Sequence, residues 1–142
     1  GAVDINVSGT GTVNLVGEIV TTGDVNTAAA GAAGGAVTID TNNGVMTISD
    51  ITTSGGASSG GGGAGGAAGA ITITTANNNI ITLDSSTLTA VGGAGNAGGA
   101  QGAGCRIDDI DFLAPYRTVL ASVWVQSGEG EAGRGNAEVR TH

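Results

Sequence analysis

From its first residues the chain alternates. Val3, Ile5 and Val7 are separated by Asp4 and Asn6, and the same two-residue rhythm returns in Val37 and Ile39 and again in Ile71 and Ile73, with Asp and Thr between them. β-Branched and polar residues at this spacing send one set of side chains to one face of a strand and the other set to the opposite face. Each of these segments is therefore predicted to be a strand with its aliphatic face inward. Helix is disfavoured, because Thr, Val, Ile and Asn are middling helix formers, Gly costs about 1 kcal/mol per helical position, and apolar residues do not recur at intervals of three and four.

The segments are copies of one another. GAVDI at 1–5, GAVTI at 35–39 and GAITI at 69–73 begin 34 residues apart each time. After each comes a second apolar alternation (Val13 and Leu15, Met46 and Ile48, Ile81 and Leu83), then a third short segment around Ile19, Ile51 and Leu88. Asn42, Asn43 and Gly44, and likewise Asn77, Asn78 and Asn79, break the first strand from the second with residues that tolerate turn conformations. Every unit closes in a Gly/Ala tract, at 23–34, 55–69 and 92–104. The expected organisation is three units, 1–34, 35–68 and 69–104. Residues 105–142 hold all the aromatic side chains, Phe112, Tyr116 and Trp124, and read as a diverged fourth unit with the start of a fifth or, in a competing reading, as a separate capping segment.

One unit cannot fold alone. Its roughly six inward aliphatic side chains are each worth about 1.5–3 kcal/mol on burial, whereas ordering some 20 residues costs about 1–2 kcal/mol apiece. Stacking equivalent positions of successive units resolves the deficit, as in solenoids. Parallel strands about 4.8 Å apart, one period apart in sequence, form a parallel β-helix. The crossover rule makes it right-handed. Fold class is thus expected to be all-β, a right-handed β-helix of about four coils, with the Gly/Ala tracts leaving at one corner. The tracts exceed ordinary loop length and are expected to be mobile or loosely packed.

Composition narrows the functional classes. With 12 acidic residues against four Arg and no Lys, the net charge is −8; neither nucleic-acid binding nor attraction to an anionic membrane surface is expected. No run approaches the roughly 20 apolar residues of a membrane span, so membrane insertion is not expected either. The N-terminal GAVDINVSG lacks the basic start and apolar run of a signal peptide, and with no initiator Met the chain reads as a piece of a longer or processed protein. Cys105 is the lone cysteine and His142 the lone histidine, so intrachain disulfide and Ser/His/Asp chemistry are not expected.

The run GAVTIDTNNGVMTISDITTSGG followed by GGAGGAAGAITITT resembles the bacterial surface adhesins built of β-strand repeats, the filamentous-haemagglutinin-like proteins and autotransporter passengers. The resemblance covers 1–104 and is weaker over 105–142. It implies secretion, display on the bacterial cell surface, and a role as a stiff shaft or adhesive stalk without enzymatic activity.

Candidate chemistry is sparse. Asp109 and Asp111 lie on one side of a strand pattern, with Asp108 on the other; a carboxylate pair suits general acid–base work or Ca²⁺, although solvated strand charges are the ordinary explanation. The β-roll Ca²⁺ pattern requires an Asp in each Gly-rich repeat, and the tracts at 55–69 and 92–104 contain none. Gly60, Gly62 and Gly65 satisfy a dinucleotide fingerprint only by virtue of glycine density, with no helix expected after them. Asn6, Val7 and Ser8 form a glycosylation sequon. Thr72 and Thr74, with Thr38 one period earlier, are candidates for a polar binding face that contacts carbohydrate or another cell-surface ligand. The same row could order water, as in ice-binding solenoids, but Asp4, Asn6 and Asp40 interrupt it. A polysaccharide-acting enzyme fragment and a self-associating matrix solenoid are further alternatives. No cofactor is expected, and uncapped coil ends are expected to promote self-association into oligomers or fibres.

Overall fold

A computed structural model describes residues 1–75, 81–83, 86–104 and 107–108. The alternating segments form ten strands: β1 (Val3–Val7), β2 (Val13–Asn14), β3 (Ile19–Val20), β4 (Val37–Thr41), β5 (Met46–Thr47), β6 (Ile51–Thr52), β7 (Ile71–Thr75), β8 (Ile81–Thr82), β9 (Leu88–Thr89) and β10 (Ile107–Asp108). The described residues include no helix. Three parallel sheets result, in the orders β1-β4-β7-β10, β2-β5-β8 and β3-β6-β9. Each turn of the chain contributes one strand to every sheet, which is the arrangement of a parallel β-solenoid.

Register in the first sheet follows the sequence repeat. Ile5 pairs with Ile39 and Ile39 with Ile73, a separation of 34 both times. The other two sheets keep the stacking but not the period. Val13, Met46 and Ile81 are separated by 33 and 35 residues, and Ile19, Ile51 and Leu88 by 32 and 37. The turns and Gly/Ala tracts absorb the difference, so strand alignment rather than chain length sets the repeat. Ile107 pairs with Ile71, placing a fourth strand in the first sheet directly after the third tract. Ile110 and Phe112 through His142, with the Asn77–Asn79 turn, lie outside the described residues.

The inward positions of all three sheets share one core. Val37, Ile39, Met46, Ile48, Ile51, Ile71, Ile73, Leu83 and Leu88 are almost completely buried, with Val3, Ile5, Val7, Leu15 and Ile19 of the first coil packed against them and only partly covered. At the end of the first sheet the inward residue changes from Val7 to Thr41 and Thr75. These buried hydroxyls are satisfied locally, since Thr41 Oγ1 donates to the Gly44 carbonyl (2.9 Å) and lies 3.0 Å from Thr75 Oγ1.

The Gly/Ala tracts depart from the sequence expectation: they are neither loose nor peripheral to the packing. Each leaves as an outgoing leg, turns, and comes back as a return leg, forming an arm stacked on the arm of the next coil. Along the outgoing legs Gly23 and Asn26 donate to Ser54 and Ala57 of the next coil, and Gly55 and Ser58 to Val91 and Ala94; along the return legs Gly31 and Gly34 donate to Ala64 and Ala67, and Gly65 and Ala68 to Ala100 and Ala103. The donors recur every third residue, the spacing of polyproline-II-type chain, which makes no hydrogen bonds within itself and turns successive amides in three directions. A second direction ties leg to leg, through Gly66 N to Gly56 O and Gly102 N to Gly93 O (2.8 Å each). The third reaches the neighbouring coil's opposite leg, through Gly56 N to Ala32 O and Gly93 N to Gly66 O (2.8 Å each). Such a bundle needs backbone against backbone. A Cβ at Gly66 would sit 1.9 Å from the Ala32 carbonyl oxygen, so glycine here is demanded by close approach.

Core and arm give paired predictions. In chemical denaturation Ile39→Ala is expected to cost about 2–5 kcal/mol, the range for emptying a buried aliphatic site, and Thr38→Ala, next to it on the outer face, under about 0.5 kcal/mol. Gly66→Ala should lower the melting temperature clearly, while Gly61→Ala, at the arm tip where no atom lies within 4 Å, should leave it unchanged. Equal effects of the two glycine substitutions would contradict the packed arm.

Candidate functional site

The outer face of the first sheet is built by the strand positions that alternate with the core. Register places Asp4, Thr38 and Thr72 in one row, continued at the backbone by Asp108, and Asn6, Asp40 and Thr74 in the next. All three candidate threonines, Thr38, Thr72 and Thr74, are therefore brought together on one polar surface, each partly exposed. Their chemistry differs. Thr74 Oγ1 donates to Asp40 Oδ1 (2.6 Å), and Asn6 Nδ2 donates to Asp40 Oδ2 (3.5 Å). Asp40 thus joins the outer positions of three successive coils into one ladder and occupies the Thr74 hydroxyl proton. Thr38 and Thr72 have no side-chain hydrogen-bond partner among the described residues, leaving two stacked hydroxyls for solvent or a ligand.

Outward threonines are not confined to this sheet. Thr47 and Thr82 stack in register on the second sheet after Asn14, and Thr52 and Thr89 on the third after Val20. On the third sheet Thr52 Oγ1 donates to Glu18 Oε1 (2.9 Å), and Asp50 Oδ1 accepts from the Thr87 backbone N–H (2.7 Å). The strand repeat alone held this signal, since MT, IT and LT follow each other at matching places. All three outer faces of the second and third coils carry the same hydroxyl pair.

A feature missed in the sequence is the clasp at the base of the arm. Thr21, buried where the first tract begins, donates its hydroxyl to the Gly35 carbonyl (2.5 Å) and receives the Gly35 N–H on its own carbonyl (2.8 Å). One coil later Thr53 repeats both bonds with Gly69, at 2.6 and 2.8 Å. In the third coil the register position falls to Ala90, which has no hydroxyl. Two bonds to one glycine, at its carbonyl and at its amide, hold the two legs together where they leave the sheets. The motifs TTG at 21–23 and TSG at 53–55 are the only trace in sequence. Other buried hydroxyls are also used: Ser58 Oγ donates to Ala29 O (2.9 Å), and Ser86 Oγ to Ile48 O.

The remaining candidates divide by place. Asp109 and Asp111, together with Cys105 and His142, lie outside the described residues. Among the described residues no group of three His, Cys, Asp or Glu side chains is arranged to hold a metal ion, and no helix is long and apolar enough to cross a membrane. Gly60, Gly62 and Gly65 sit at and beside the tip of the second arm. Gly63 N donates to Gly60 O (3.1 Å), Gly62 has φ +78°, and Gly65 N is bonded to Ala100 O, so this glycine run is a turn with a stacked leg and not a phosphate cradle. Asn6 of the sequon stands exposed on the outer face.

Thr53→Val is expected to cost about 1–3 kcal/mol, because it removes the buried hydroxyl that donates to the carbonyl of the buried Gly69. Thermal melts of the variant against the parent chain measure the loss. No family model, no curated protein and no solved structure matches the chain.

Proposed function

We propose that the chain is a structural and adhesive segment, without enzymatic activity, of a secreted repeat protein displayed on the bacterial cell surface. In this reading it is a right-handed parallel β-helix of about four coils, of the filamentous-haemagglutinin-like kind. Right-handedness follows from the parallel crossover rule, and the coil count from continuing β10 through the aliphatic pattern of 105–142. The observation that carries the reading is repetition on every side. Among the described residues the core continues from coil to coil, the arm continues along one corner, and each outer face repeats its threonines in the second and third coils, as a shaft built of equivalent units would. A catalytic centre, by contrast, singles out one place with convergent polar groups.

The adhesive surface is the outer face of the first sheet. Thr38 and Thr72 present hydroxyls in a row beside the Asp40 ladder, and hydroxyl and carboxylate groups on a rigid sheet suit the polyhydroxylated surface of a carbohydrate. The role needs no cofactor; Ca²⁺ at Asp109 and Asp111 would be an accessory. The acidic surface disfavours nucleic acid and anionic lipid as partners.

Binding to immobilised bacterial and host glycans tests the proposal. The double variant Thr38→Ala with Thr72→Ala should lose at least tenfold in affinity while its melting temperature stays within a few degrees. Turnover of polygalacturonate or another acidic glycan, abolished by Asp109→Asn, would place the protein among β-helix enzymes instead. Thermal hysteresis lost on Thr72→Tyr would make it an ice-binding solenoid.

A further inference from the structure

Side-chain charge over the described residues has one sign. They contain no Lys, Arg or His, so every ionisable side chain among them is a carboxylate. Two of these carboxylates stand on the outer face of the first sheet, beside the free hydroxyls. Asp4 is the register partner of Thr38, on a strand about 4.8 Å away, and Asp40 follows Thr38 by two residues on the same side of β4. Asp40 also lies diagonally from Thr72, because its own register partner is Thr74. A carboxylate therefore borders each of the two hydroxyls. Asp40 is half-buried, and Thr74 and Asn6 donate to its two oxygens from the coils on either side, which fixes the group in place and leaves its charge uncompensated. An ionised carboxyl offers about four acceptor positions, so about two remain open. Asp4 is exposed and has no side-chain partner among the described residues.

We propose that this face recognises a glycan bearing free amino groups, an amino-sugar polymer whose nitrogens are unacetylated. The inference rests on the adhesive reading of the face and names the class of sugar it takes. Thr38 and Thr72, whose hydroxyls both donate and accept, engage sugar hydroxyls. Asp4 and Asp40, which only accept, engage ammonium groups, which only donate. Bonds from ammonium to carboxylate are charge-assisted and roughly twice as strong as neutral ones. The same arrangement works against the other glycan classes. A uronate, sialylated or sulfated sugar would bring its anion against Asp4 and Asp40, with no Lys or Arg side chain among the described residues to receive it. An N-acetylated sugar would offer these carboxylates a neutral amide in place of a cation.

Placement separates this recognition from the general attraction of an acidic protein for a cation. Asp24 carries the same charge as Asp4 and is equally exposed, but it belongs to the outgoing leg of the first arm and not to a sheet. Only Asp4 and Asp40 share a face with the two free hydroxyls.

Calorimetry of the whole chain at low ionic strength tests it, with glucosamine, N-acetylglucosamine and galacturonate oligomers of equal length as probes. The glucosamine oligomer should bind at least tenfold more tightly than the other two, the scale of one or two charge-assisted contacts. Its lead should shrink as salt is added, because exposed charges are screened. Asp4→Asn should remove most of that lead while keeping the melting temperature and the affinity for the N-acetylated oligomer, and adding Asp40→Asn should abolish it. Asp24→Asn, which removes the same charge from the arm, should leave the lead intact. Equal affinity for the three oligomers, tighter binding of galacturonate, or an equal loss with Asp24→Asn would overturn the amino-sugar assignment. In those cases, binding that Thr38→Ala with Thr72→Ala abolishes would keep the adhesive reading. Absence of binding to any glycan by the folded chain would overturn both, so the two failures are told apart.

Discussion

Every described part of this molecule depends on backbone lying on backbone in register, coil over coil. In the sheets that contact is a parallel ladder. At the arm it is a hydrogen-bonded bundle of extended chain, possible only where side chains are missing. The two lattices share one axial repeat, because a strand and the tract that follows it belong to the same coil. Unequal chain lengths between equivalent strands, 32 to 37 residues in the third sheet, show that the lattice wins over the sequence period: loops lengthen or shorten so that strands can meet.

This constraint explains the unusual composition. A conventional domain would fill a core with aromatic side chains, whereas here the interior is a thin column of Val, Ile, Leu and Met, each stacked on its own equivalent. Glycines of the described tracts such as Gly31, Gly56, Gly66, Gly93 and Gly102 are required by the second lattice, where carbonyl oxygens stand about where a side chain would begin. Threonine serves two roles from one side chain. Outward it is a β-branched strand former with a hydroxyl for water or ligand; inward, at Thr21 and Thr53, it clasps the legs of the arm.

The strands and their pairing were legible because period two and period 34 are both written in side chains: Val3, Ile5 and Val7 recur as Val37, Ile39 and then Ile71, Ile73. Parallel direction and register followed from the same recurrence, and so did the row that contains Thr38 and Thr72. The arm was not legible. Its order comes from main-chain groups, which every residue shares, and the three-residue donor spacing is blurred by alanines that fit where their Cβ faces outward. The expectation of mobile or loosely packed tracts rested on their length alone, whereas Gly56, Gly66, Gly93 and Gly102 contribute close approach. The Thr21 and Thr53 clasps were hidden for another reason: their acceptors, Gly35 and Gly69, lie 14 and 16 residues away across a tract of nearly uniform composition.

Amide hydrogen exchange resolved at individual glycines tests this account most directly. If the arms are a packed lattice, the amides of Gly65, Gly66, Gly93 and Gly102 exchange as slowly as those of Ile39 and Ile73, while Gly61 and Gly98 at the arm tips exchange at nearly free rates. Uniformly rapid exchange throughout 55–69 and 92–104, with protection confined to the strands, would show that the arms are loops after all and that the sheets alone hold the coils together.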